Sequence, residues 1–220
     1  MTDLGAMTDL GRDNKAAGPF PVVCSRAGVA SVSRLLKEWA LEDPDKLAHW
    51  LEQEAKVKAA LAGGAGPGVA RPEQVAGLTG LQFLQAMLGG KVPFASIAQT
   101  LDFALIEVEQ GRAVFQGVPG AGHLNPMGTV HGGWYATLLD SAMGCAVHTL
   151  MPPGRAYTTA EMSVKLVRAI KPTVVRVRAE GQVLHCGRQL ATAQAQLVGP
   201  DGTLYAHAST TCLVFDLPPA

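Results

Sequence analysis

The chain has 220 residues, 48% of them apolar and 16% charged, and its 18 basic and 18 acidic side chains leave a net charge of zero. Such a chain can bury a substantial core and is not disordered throughout. Its balanced charge gives no electrostatic footprint for a nucleic-acid backbone or an anionic membrane surface. The four cysteines, Cys24, Cys145, Cys186 and Cys212, fall at neither CxxC nor Cys/His zinc spacing and read as free thiols in a reducing cytoplasm.

The first 30 residues, rich in small and polar types, predict a flexible segment with no secretion signal. Val32, Leu35, Leu36 and Trp39 then recur at helical spacing, and a second set runs from Leu47, Trp50 and Leu51 to Val57 and Leu61. These predict a two-helix extension over 31–72, closed by the glycine-rich stretch 63–68, which reads as a linker. The extension's apolar stripes need a cover, from the rest of the chain or from another chain.

From residue 73 to 220 the pattern is that of one domain. A short apolar helix over 78–88 precedes two strands, Phe103 to Glu109 and Ala113 to Val118, joined by a Gln110-Gly111 turn. A helix from Gly133 to Leu150 follows, stopped by Pro152-Pro153-Gly154. Four strand-like runs complete the chain, over 157–167, 173–184, 189–198 and 203–215, with turn chemistry between them. Helix and sheet are segregated, so the predicted class is α+β. The long uncharged run from Ala113 to Leu139 holds Pro119, Pro126 and six glycines, which argues for a folded site and against a membrane span.

The chemistry concentrates between His123 and His148. Asp140 is the only formally charged side chain of the predicted 133–150 helix, and a carboxylate among Trp, Tyr, Leu, Met and Val is costly to desolvate unless something rewards it. Ala136, Thr137 and Gly144 share its face and leave room beside it. His131-Gly132-Gly133 opens the helix, where unpaired N–H groups and the positive dipole end suit a developing oxyanion and glycine allows close approach. Gly132 and Asp140 are eight residues apart, about 12 Å of helical rise, too far for both to touch one carbonyl. Either they serve different purposes, or one chain's Gly132 meets another's Asp140 in a two-fold dimer.

Asn125-Pro-Met-Gly-Thr-Val-His-Gly-Gly with Leu138-Leu-Asp140 resembles the hot-dog-fold acyl-CoA thioesterases of the PaaI-like, phenylacetyl-CoA-type branch, over about Thr79 to Phe215. The resemblance implies a curved antiparallel sheet wrapped around a long central helix, assembled as a homodimer or homotetramer. It implies acyl-CoA as substrate, coenzyme A being part of that substrate, with no metal and no other cofactor. By motif position, Asp140 is similar to the general base or nucleophile and Gly132 to the backbone donor for the thioester oxygen. Asn125 is similar to the residue that orients water or thioester, His131 to the one that positions the carbonyl or leaving group, and Thr159 to a water-holding strand hydroxyl. Thr158 is adjacent, and one residue of register decides between them. Gly133, Trp134 and Thr137 are the candidate substrate-binding residues; for Trp134, packing against the sheet is the competing reading.

Two other functions fit less well. A hot-dog hydratase or dehydratase would need a carboxylate and a histidine on one substrate. A non-catalytic acyl-CoA-binding module would gain nothing from a buried Asp140. Cys145 lacks an adjacent base or cation and reads as packing, Glu161 as a solvent-facing strand residue, and His123, His148, His185 and His207 as surface or satisfied core histidines.

Overall fold

A computed structural model describes residues 44–217. The expected flexible segment 1–30 and the first extension helix around Val32 to Trp39 lie outside the described residues.

The second extension helix is α1, Pro44–Ala62. Of its apolar pattern Trp50 and Val57 are buried, Leu47 and Leu61 are half-buried and Leu51 is 37% exposed, while Glu54, only 5% exposed, takes an inward position. A buried carboxylate needs partners, and Glu54 has three, accepting hydrogen bonds from Gln116 Nε2 at 2.9 Å and Arg176 Nε at 2.6 Å and pairing with Lys58 Nζ at 2.7 Å. The glycine-rich stretch forms turns hydrogen-bonded onto the rest of the fold, with Ala65 N–H donating to Gly90 O, Phe94 N–H to Gly66 O and Gly68 N–H to Phe94 O. α1 lies in the same compact unit as the sheet.

Two short helices, α2 (Pro72–Val75) and α4 (Ser96–Thr100), flank α3 (Gly80–Leu88). α3 starts on a capping box in which Gln82 N–H donates to Thr79 Oγ1 and Thr79 N–H donates to Gln82 Oε1. Six strands follow: β1 (Phe103–Glu109), β2 (Arg112–Gly117), then, after the helix α5 (Gly132–His148), β3 (Arg155–Leu166), β4 (Val177–Cys186), β5 (Leu190–Val198) and β6 (Leu204–Asp216). They make one antiparallel sheet in the order β1-β2-β4-β5-β6-β3, with β1 and β3 at its edges.

α5 packs against all six strands, so the sheet curves around it. Alternation on β5 explains the close fit: Ala191, Ala193, Ala195 and Leu197 are buried, and three alanines leave room for a helix. At Gly181 on β4 a Cβ would lie 2.3 Å from Ala142 O of α5, so only glycine permits the approach. β2 is buried along nearly its whole length because it is covered twice. Gly117 faces Trp134 and Leu138 of α5, while Gln116 faces Glu54 of α1.

The outer contact is polar and fully paired. Gln116 Oε1 accepts from Arg178 Nε at 2.8 Å, Arg178 also donates to Gln53 and Glu107, and its guanidinium lies 4.5 Å from the centre of the Trp50 ring. Burial works against ionised Glu54 and Glu107, yet the hydrogen bonds and charges of Arg176 and Lys58, and of Arg112 and Arg178, hold both carboxyls below their ordinary range.

Candidate active site

α5 carries both candidate centres, at different heights. Its first turn is capped by His131, whose Nδ1 accepts from Gly133 N–H at 2.9 Å. Gly133 N–H is therefore occupied, while Gly132 N–H donates to no acceptor among the described residues. Gly132 is half-buried, and a Cβ there would stand 2.9 Å from Leu166 Cδ1.

The loop before α5 is fixed by Asn125. Its Oδ1 accepts from Met127 N–H at 2.9 Å and Thr129 N–H at 3.3 Å, and its Nδ2 donates to Thr129 Oγ1 at 2.9 Å. The side chain thus builds the turn that presents His131 and Gly132. Thr137 Oγ1 donates back along the helix to Gly133 O. Trp134 is 3% exposed, donates its indole N–H to Leu101 O at 2.9 Å and stacks on His123, which makes it a core residue.

Two turns further on, Asp140 sits half-buried and accepts from Thr159 Oγ1 at 3.0 Å through Oδ1. Its Oδ2 accepts no hydrogen bond among the described residues. A bulge between Thr159 and Glu161 in the β3–β6 pairing re-aims this strand. Thr159, and not Thr158, reaches the carboxylate. Glu161 is exposed, as its solvent-facing reading expects.

Asp140 and Thr159 open into a cavity of ≈ 610 Å³, within the usual size range of small-molecule pockets. Ser141, Cys145 and Tyr157 line it beside them. The remaining wall comes largely from apolar residues of α1, α3, β1 and the loop at Phe94. Gly132, His131, Asn125, Gly133, Trp134 and Thr137 do not line it. Within one chain, then, Asp140 and Thr159 come together, and the Asn125, His131 and Gly132 group forms a separate cluster at the start of the helix.

The room expected beside Gly144 is filled. A Cβ at Gly144 would fall 2.6 Å from Tyr157 Oη, so the glycine seats the tyrosine ring against the helix. Alternation along β3 places Tyr157 two residues before Thr159 on the same side, which was the available sequence signal for it. Burial pushes the Tyr157 hydroxyl well above its ordinary value and the Cys145 thiol up to about 12, assisted by the nearby Asp140 charge. Cys145 is a thiol at neutral pH and no nucleophile. His148 departs from the satisfied-histidine reading: its ring lies between Phe83 and Tyr157, its Nδ1 is buried without a partner, and burial keeps it neutral.

Residues 127–206, the stretch holding the helix opening, Asp140 and Thr159, match the thioesterase superfamily model. Over this stretch the chain is similar to the thioesterase superfamily. No curated protein matches the chain. Among solved structures the chain is similar to a Ralstonia eutropha JMP134 protein named as related to phenylacetic acid degradation, at 26% identity and TM-score 0.55, covering 60% of this chain and 98% of that one. It is also similar to a thioesterase family protein of Silicibacter pomeroyi at 25% identity and TM-score 0.51, covering 55% and 89% of the respective chains. A thioesterase of Haemophilus influenzae, at 15% identity and TM-score 0.54 over 64% of this chain and 94% of that one, shares the fold. The hot-dog architecture expected from the sequence is the one observed. No helix among the described residues is long and apolar enough to cross a membrane.

Proposed function

We propose that this protein hydrolyses acyl-CoA thioesters to a free acid and coenzyme A. Thioester hydrolysis as a reaction class follows from the superfamily match and the thioesterase relatives. The observation that carries the finer reading is the Asp140–Thr159 pair at the head of a largely apolar cavity.

Thr159 donates to one oxygen of Asp140 and leaves the other to accept a proton from water. The water oxygen attacks the thioester carbon, negative charge gathers on the carbonyl oxygen, and the carbon–sulfur bond then breaks as the coenzyme A sulfur takes up the proton. A direct attack by Asp140 would instead form a mixed anhydride, cleaved by water in a second step. Gly132 N–H is the donor proposed for the carbonyl oxygen, with His131 and Asn125 holding the turn that aims it.

Because Gly132 and Asp140 lie on one straight run of α5, about 12 Å apart along the axis, the reading requires Gly132 of one protomer to serve Asp140 of its partner. A homodimer, alone or paired into a tetramer, supplies that arrangement twice. The reaction as proposed draws on protein groups and water alone, in the cytoplasm, where coenzyme A esters are made and consumed.

Thiol release from a panel of acyl-CoAs, measured for the parent chain and for Asp140→Asn, tests the reading. Release by the parent and its loss in the variant are expected. Binding without release by either protein would point to a binding module, and double-bond hydration without thiol release to a hydratase. Mixing Asp140→Asn protomers with Gly132→Pro protomers restores part of the activity if the site is shared between chains, and restores none if it is not.

A further inference from the structure

We infer that α1 and the glycine turn after it, which precede the superfamily match, form the wall that sets acyl length, and that the substrate carries an apolar acyl group of medium length. This rests on the thioester reading of Asp140. The cavity is chemically divided. Asp140, Ser141, Tyr157 and Thr159 line it from α5 and β3, and Lys58, Gln99 and Asp102 are the polar side chains of the remaining lining. The apolar lining includes Leu61 and Ala62 of α1, Met87 and Leu88 of α3, and Phe94 and Phe103. A thioester carbonyl held at Asp140 would send its acyl chain among these apolar groups. An acetyl group would leave most of the ≈ 610 Å³ unfilled.

This wall is anchored rather than loose. Glu54 ties α1 to Gln116 and Arg176, Lys58 lies 3.9 Å from Asp102 at the rim, and the turn is hydrogen-bonded through Ala65 to Gly90 and through Gly66 and Gly68 to Phe94. A fixed wall gives a sharp length limit, because a chain that overruns it must displace backbone.

The test is the dependence of kcat/KM on acyl length, from acetyl- to dodecanoyl-CoA, in the full chain. For the parent, each methylene up to the limit adds roughly fourfold. Ala62→Trp, at an exposed position that tolerates bulk, moves the optimum to shorter acyl groups, and Leu61→Ala moves it to longer ones. Displacement of a dansylated undecanoic acid by free carboxylic acids of graded length gives the same ordering without turnover. Thiol release with an optimum unmoved in both variants overturns the wall assignment and leaves the thioesterase reading intact. A displacement series that shifts with the variants while no acyl-CoA is cleaved overturns the thioesterase reading and leaves the chamber. A displacement series flat with length in the parent overturns the chamber itself.

Discussion

Thr159 Oγ1 donates to Asp140 Oδ1 at 3.0 Å, joining edge strand β3 to the middle of the central helix at the head of the cavity. The bond fixes which carboxylate oxygen is free, and so the direction from which a water would be activated in the proposed reaction.

Replacement of Asp140 by Asn removes the proposed proton acceptor while keeping the side-chain shape, and kcat is expected to fall by about 10²- to 10⁴-fold. Thr159→Val removes one hydrogen bond to a charged group, worth about 1.5–3 kcal/mol, and is expected to lower kcat roughly 10- to 100-fold. Thr158→Val, one residue away and without that contact, is expected to stay within about twofold of the parent, since exposed substitutions are close to neutral. Equal losses in the two threonine variants would contradict the register.

Gly144→Ala puts a methyl group 2.6 Å from the Tyr157 hydroxyl. Overpacking of this kind costs about 1–3 kcal/mol, read as a lower denaturation midpoint in urea. Tyr157→Phe removes the offending oxygen, so the double variant is expected to recover part of the loss, a coupling that independent sites do not show. Strict additivity would separate the two residues.

Glu54→Ala leaves Arg176 and the buried edge of α1 without their carboxylate and is expected to cost about 3–5 kcal/mol. Glu54, with Glu107, also contributes to stability toward acid. Glu54 and Glu107 ionise more readily folded than at their ordinary value of 4.5, so the unfolded chain binds more protons as acid is added. Their contribution is complete above about pH 4.5 and is lost as pH falls through the lower folded values. Thermal melts across the acid range are expected to show Tm falling below that point, with a shallower fall in Glu54→Gln.

Cys145 lines the cavity, but burial and the Asp140 charge raise its thiol to about 12. Iodoacetamide at neutral pH is expected to leave it unmodified over the time in which an exposed thiol reacts completely, as read by mass spectrometry of the peptide. Rapid modification at Cys145 would refute that environment.

Features carried by local chemistry were legible in the sequence. The Gln110-Gly111 hairpin, the helix stop before Pro152-Pro153 and the helix opening at His131-Gly132-Gly133 each follow from a few neighbouring residues, and all three stand where expected. Features set by tertiary contact were not. The choice between Thr158 and Thr159 turns on a bulge that leaves no mark in composition, and Gly144 read as vacant space because Tyr157 arrives from another element. Leu51 belongs to the expected apolar stripe yet is exposed, and Glu54 is buried because Gln116 and Arg176 pair with its carboxylate. The glycine-rich stretch read as a tether for the same reason: the carbonyls and amides it bonds belong to residues far along the chain.

The double covering of β2 has a practical corollary for anyone trimming this protein. The stretch matched by the superfamily model begins at Met127, yet cutting away α1 would bare Gln116 and Arg178, side chains now 2% and 4% exposed, on the outside of the central strands. The stretch matched to the superfamily and the unit that keeps these side chains covered are therefore not the same length, and the second starts well upstream of the first.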